Sequence, residues 1–171
     1  MQTPQKEQLH NLTLAGIFAA LITLMTAYIC HIPVGTNGGY VHFGDSFIYL
    51  AAVLLPRPYA LAAAAIGGGL ADLLTAPMWA PATIVIKMLI TLPFTRGSAQ
   101  IVTPRNLVAT ALAYFISGIG YFFAEYILFR TWSVLWISLS QTLVQSIGSA
   151  ILFIVFGIAL DKAHIKKTFF S

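Results

Sequence analysis

Four ionisable residues, Asp45, Asp72, Lys87 and Glu125, stand inside sequence that is otherwise almost wholly apolar. A charge within a bilayer costs a few kcal/mol on insertion scales, so it is kept only with a partner or a task. A carboxylate in such a place has three uses: it caps a helix, pairs with a cation, or accepts hydrogen bonds from a polar guest. Asp45 directly precedes the predicted helix Ser46–Leu55 and is placed to cap it. Asp72 and Lys87 fall on consecutive apolar segments, where they either pair and pin helix packing or line a polar pocket. Asp45 and Asp72 are read here as structural charges, and Lys87 as a pocket residue.

Glu125 belongs to a more ordered pattern. Tyr114, Ser117, Tyr121 and Glu125 recur at spacings of three, four and four, which puts them on one helix face. The next apolar segment carries Trp136, Gln141 and Gln145, the last two at i,i+4. Polar stripes on membrane helices face protein or water rather than lipid. Two such faces, with Trp79 held between Pro77 and Pro81, make a concave site with aromatic walls and a few polar groups. That chemistry suits a flat heteroaromatic ligand, whose rings stack while amides and a carboxylate read the edge. The predicted contacts are Trp79, Thr83, Lys87, Tyr121, Glu125, Trp136, Gln141 and Gln145. Trp132 reads as a membrane-interface residue.

Other chemistries find no support. His10, His31, His42 and His164 do not cluster at metal-ligand spacing, and Cys30 stands alone. Gly67–Gly69 lacks the Lys-Ser/Thr of a phosphate loop. No Gly-x-Ser-x-Gly or His-Glu-x-x-His arrangement occurs. No catalytic residue, metal or cofactor is therefore expected, and neither is ATP hydrolysis by this chain.

The elements that must position these side chains follow from hydropathy. Of 171 residues, 58% are hydrophobic and only 8% charged, against roughly 25% charged in soluble domains. The sequence predicts an all-α integral membrane protein, one domain over 1–171, with six transmembrane helices at about 11–30, 46–55, 59–74, 82–93, 107–129 and 134–160. The first is read as an uncleaved span. Six crossings put Lys6, Arg57, Arg96, Arg105, Lys162, Lys166 and Lys167 on one side and Arg130 on the other, so both termini are expected in the cytoplasm. This placement explains the net charge of +4 without nucleic acid. Helix 1 carries overlapping small-xxx-small pairs at Ala15, Gly16, Ala19 and Ala20, which permit close helix approach.

The segments "GGYVHFGDSFIYLAAVLLP" and "AAAAIGGGLADLLTAPMWAPATIVIKMLI" resemble the substrate-binding S components of energy-coupling factor (ECF) vitamin transporters, riboflavin/hydroxymethylpyrimidine-type subfamily. The resemblance covers roughly residues 11–94. It implies a multi-pass protein of a prokaryotic plasma membrane that captures a vitamin or precursor outside the cell. A transmembrane coupling protein and two ATPase subunits would drive uptake. The family's Ala-x-x-x-Ala on helix 1, which contacts the coupling protein, falls on Ala15 and Ala19. Its first outer loop, a gate over the ligand, corresponds to 31–44, with Asn37, Tyr40 and His42. Hydroxymethylpyrimidine, pyridoxine or a thiamine precursor is the favoured ligand, and a queuosine precursor or riboflavin the alternative. A self-sufficient carrier or channel is the alternative of another class.

Overall fold

The computed structural model describes residues 4–29, 31–33, 40–130, 132 and 134–169. Helix α1 spans Pro4–Leu24. It begins ahead of the apolar edge at residue 11 because Gln5, Lys6, Glu7 and Gln8 are good helix formers. Its last turn widens into a π turn, Met25–Ile29. Two short strands follow, β1 (Ile32–Pro33) and β2 (Tyr40–Val41), paired antiparallel with Ile32 opposite Val41. The sequence predicts only a loop here, since two-residue strands carry no period-2 signal.

Helices α2 (Asp45–Leu54) and α3 (Arg57–Thr75) meet at Leu55–Pro56. Leu55 is extended, as a residue before proline must be, whereas Pro58 sits in the first turn of α3, where its missing N–H is harmless. A 3-10 turn, Pro77–Trp79, leads into α4 (Ala80–Leu89). The predicted run to Pro93 stops short, because Ile90–Pro93 form turns ahead of that proline. Thr103 caps α5 (Pro104–Phe129), its Oγ1 accepting from the Asn106 amide at 3.2 Å. Arg130 ends α5 in the left-handed conformation. Helix α6 (Val134–Lys162) and a short α7 (Ile165–Phe169) complete the described chain.

Helix accounts for 81% of the structure, so the two-residue strands do not alter its all-helical class. Among the described residues, four segments are long and apolar enough to cross a membrane: Pro4–Ile29, Arg57–Thr75, Pro104–Phe129 and Leu139–Lys162. Helices α2 and α4 have 10 residues each, about 15 Å, half a hydrocarbon core. Short helices survive at membrane depth only when protein surrounds them. Helix α2 meets that condition, with Ile48, Tyr49, Ala51 and Val53 fully buried. The lipid side is visible instead on α5 and α6, where Phe115, Ile119, Phe123, Val144, Ile151 and Val155 point outward.

Helix α1 approaches α3 closely. A Cβ added at Gly67 would lie 2.7 Å from Ile22 Cβ and 2.9 Å from the Ala19 carbonyl oxygen. The Thr23 hydroxyl donates across the gap to the Gly67 carbonyl at 3.0 Å. Ala15 and Ala19, the residues expected to meet the coupling protein, are nearly buried within the chain, Ala15 as part of its core. The outward small pair, one residue on, is Gly16 and Ala20. Gly67→Ala should therefore destabilise the fold by ~1–3 kcal/mol, read as a lower midpoint of heat denaturation in detergent. Gly16→Ala, where an added Cβ meets nothing within 4 Å, should leave the midpoint unchanged or raise it.

Candidate functional site

Asp45 is the first residue of α2, but its carboxylate does not cap the helix. Oδ1 accepts from Lys87 Nζ at 2.7 Å and Oδ2 from Gln145 Nε2 at 2.9 Å. One buried carboxylate thus ties α2 to α4 and α6. Lys87, only 1% exposed, therefore pairs with Asp45 rather than with Asp72. Its stem crosses Gly68 so closely that a Cβ there would sit 2.8 Å from Lys87 Cγ. The ammonium lies 5.5 Å from the Tyr121 ring centroid, within cation–π range. Thr83 Oγ1 meets the Tyr121 hydroxyl at 3.0 Å.

On the other side of Tyr121 is a cavity of about 60 Å³. Tyr121 and Glu125 of α5 and Gln141 and Gln145 of α6 line it, joined by Trp79 from the 3-10 turn. Five of the predicted contacts thus converge. Lys87 and Thr83 do not line it, and stand behind Tyr121 as its supports. Trp136 is 76% exposed and absent from the wall. It lies five residues before Gln141, about 140° around the helix, so the two cannot share a face. Asp72, Tyr40 and His42 complete the lining with Thr142. Thr142 escaped the sequence reading, although its place three residues before Gln145 puts it on the same face.

The second strand contributes Tyr40 to the cavity wall, with His42 just beyond it. The Tyr40 hydroxyl donates to Asp72, so the carboxylate expected to be structural is the catch to which the hairpin fastens. The Tyr40 ring stacks on His31 at 4.0 Å. The hairpin's root is held by Thr26 of the π turn, whose carbonyl meets His31 Nδ1 at 3.2 Å and whose hydroxyl meets His42 Nδ1 at 3.4 Å. The Gly44 amide also donates to His42 Nδ1, at 3.1 Å, which makes that nitrogen an acceptor and places the proton on Nε2. Burial, with the Lys87 charge adding to it, holds the His42 pKa down at about 3, so the ring is neutral at physiological pH. Asn37 lies outside the described residues.

The cavity wall carries two carboxylates, Asp72 and Glu125, and no cationic side chain. The Lys87 charge is matched by Asp45 behind it. Acceptors therefore dominate, opposed by one conspicuous donor: the Trp79 indole N–H is buried without an acceptor among the described residues. Buried donors are almost always satisfied. Aromatic faces close the sides, Trp79 lying 6.4 Å from Tyr121 and 6.1 Å from Phe129.

A helical bundle with outward apolar faces and a roofed polar cavity is the form of a membrane protein that binds a small solute. Residues 6–162 match the family model described as "ECF-type riboflavin transporter, S component", and the chain belongs to that family. It is thus a substrate-binding subunit of a transporter, and a multi-pass membrane protein of prokaryotic type. The family is one of transporters, not of enzymes. The chain is also similar to a protein of Pyrococcus woesei described as "Uncharacterized protein in gap 3'region". That protein is 33% identical over 108 residues, which cover 61% of this chain and 72% of the relative.

If the Asp45–Lys87 pair holds the site together, Asp45→Asn leaves a buried ammonium without its counter-charge. The variant should lose ~3–5 kcal/mol, seen as a large fall in the detergent denaturation midpoint. Asp45→Asn with Lys87→Met should recover most of that loss.

Proposed function

We propose that this chain captures a small, donor-rich heteroaromatic vitamin or precursor, of hydroxymethylpyrimidine, pyridoxine or thiamine-precursor type, in the cavity beneath the β1–β2 hairpin. One observation carries the reading: Asp72, Glu125 and the unsatisfied Trp79 indole face one cavity between aromatic rings. Two carboxylates suit a ligand bearing amino, hydroxymethyl or protonated ring groups. The indole N–H suits a ring nitrogen or oxygen on the same edge. Gln141 and Gln145 supply amides that read both kinds of group.

The cavity of about 60 Å³ is smaller than the ~150 Å³ void that admits a benzene ring. A ring-bearing guest therefore enters only when Tyr40 leaves Asp72 and the hairpin lifts. Rebinding of the hairpin over the guest would then favour the closed state, as differential affinity requires. Riboflavin, named in the family description, is the second reading. Its three fused rings ask for a much wider opening of the same roof.

In this proposal the chain makes six crossings with both termini cytoplasmic, as the distribution of lysine and arginine supports. A transmembrane coupling protein and two ATPase subunits would supply the driving force. Gly16 and Ala20, exposed together on α1, are the small residues available to dock the coupling protein.

Mass spectrometry of the small molecule that co-purifies with the detergent-solubilised protein identifies the ligand class. With that molecule in hand, Glu125→Gln and Trp79→Phe should each weaken binding about tenfold or more without loss of folding, because each removes a buried hydrogen bond. Unchanged affinity in both variants retires the cavity as the binding site. Gly16→Trp should abolish energised uptake while leaving ligand affinity intact. Uptake at the normal rate in that variant counts against the α1 docking face.

A further inference from the structure

A second cavity, of about 110 Å³, lies at the other end of the bundle. It opens where α2 ends, α3 and α5 begin, and α4 has just ended. Three arginines line it from three separate stretches of chain: Arg57 in the first turn of α3, Arg96 in the α4–α5 connector and Arg105 in the first turn of α5. Thr91 and Thr95 add hydroxyls, and no acidic residue takes part in the lining. Positive-inside topology asks for basic residues at this end. It does not ask that three exposed arginines from separate stretches line one hollow.

Two further features give that end the same sign. The positive ends of the α3 and α5 dipoles both point toward the cavity. Lys166 of α7 is buried without a hydrogen-bond partner among the described residues. Burial holds its ammonium below the usual lysine range; Asp161 opposes that shift and Arg96 adds to it. Two acids belong to this end: Glu7 in the first turn of α1, and Asp161, whose two oxygens accept from the Ile101 and Val102 amides at 2.8 and 3.1 Å.

We propose that Arg57, Arg96 and Arg105 form an anion site for a phosphate group, distinct from the vitamin cavity. Guanidinium forks match phosphate oxygens pairwise, which lysines at the same positions would not do. The group arrives either as the headgroup of an anionic lipid or as free phosphate. Either guest would bridge the starts of α3 and α5 and the connector between α4 and α5, all of which contribute to the cavity wall.

The test uses the full chain in neutral detergent, titrated separately with phosphatidylglycerol, phosphatidylcholine and inorganic phosphate while the denaturation midpoint is followed. Phosphatidylglycerol, inorganic phosphate or both should raise the midpoint saturably, and phosphatidylcholine should not. Stabilisation by phosphatidylglycerol alone identifies a lipid headgroup, and stabilisation by inorganic phosphate identifies a free anion. The Arg57→Ala/Arg105→Ala variant should need at least tenfold more of the same anion. The charge-matched Arg130→Ala/Lys162→Ala variant should respond like the parent. Should the double alanine variant fail to fold, Arg57→Lys/Arg105→Lys, which keeps the charge and loses the forks, should still show weaker binding. The proposal is overturned if neither anion stabilises the parent, or if the control variant loses as much as the arginine variants.

Discussion

The structure depends on one buried contact, the ion pair between Asp45 and Lys87. An isolated charge from either residue could not remain inside the bundle, since desolvating one ion costs several kcal/mol even after relaxation. Together they are tolerated, and the remaining oxygen of Asp45 is satisfied by Gln145. That arrangement ties α2, which is too short to span a membrane, to α4 and α6 in addition to its apolar packing. It also holds the Lys87 ammonium 5.5 Å from the ring centroid of Tyr121, which lines the cavity. A hydrophobic replacement could match the stability of such a pair, but not its register.

A division of charge between the two ends of the molecule follows. At one end the only wall-lining charges are carboxylates, beneath a hairpin latched by Tyr40 to Asp72. At the other, guanidinium groups gather around the starts of α3 and α5. The interior pair carries no net charge and separates the two fields. A receptor that must admit a donor-rich solute at one surface and face an anionic leaflet at the other is served by that asymmetry. Tyr40 is held at the cavity wall by its hydrogen bond to Asp72 and by its stack on His31.

Much of the fold was legible because long apolar runs leave few alternatives in a membrane. Helices α2, α3, α5 and α6 were anticipated to within a few residues, and the proline at 56 marked a real boundary, whereas α4 ends four residues ahead of Pro93. The hairpin was not legible, since four paired residues carry no periodic signal. In the site, the Tyr121–Glu125 and Gln141–Gln145 pairs could be read because i,i+4 spacing places both members on one face. Trp136 misled because residue type was allowed to outweigh its angle around the helix. Pairing was the hardest feature to foresee. Asp45 and Asp72 both stand at helix ends, and only the packing of α2 inside the bundle decides which one meets Lys87. The same holds for Ala15 and Ala19, which fit a docking motif yet turn inward because Gly67 admits them.

The central claim is that the solute sits against Trp79 beneath the hairpin. Three tryptophans, Trp79, Trp132 and Trp136, allow it to be tested by fluorescence. In a Trp132→Phe/Trp136→Phe variant, the molecule recovered from the purified protein should shift or quench the emission of Trp79 saturably, with the affinity of the parent protein. In a Trp79→Phe/Trp132→Phe variant, exposed Trp136 should stay silent. Saturable binding that leaves Trp79 emission unchanged, or that registers at Trp136 instead, would contradict the account.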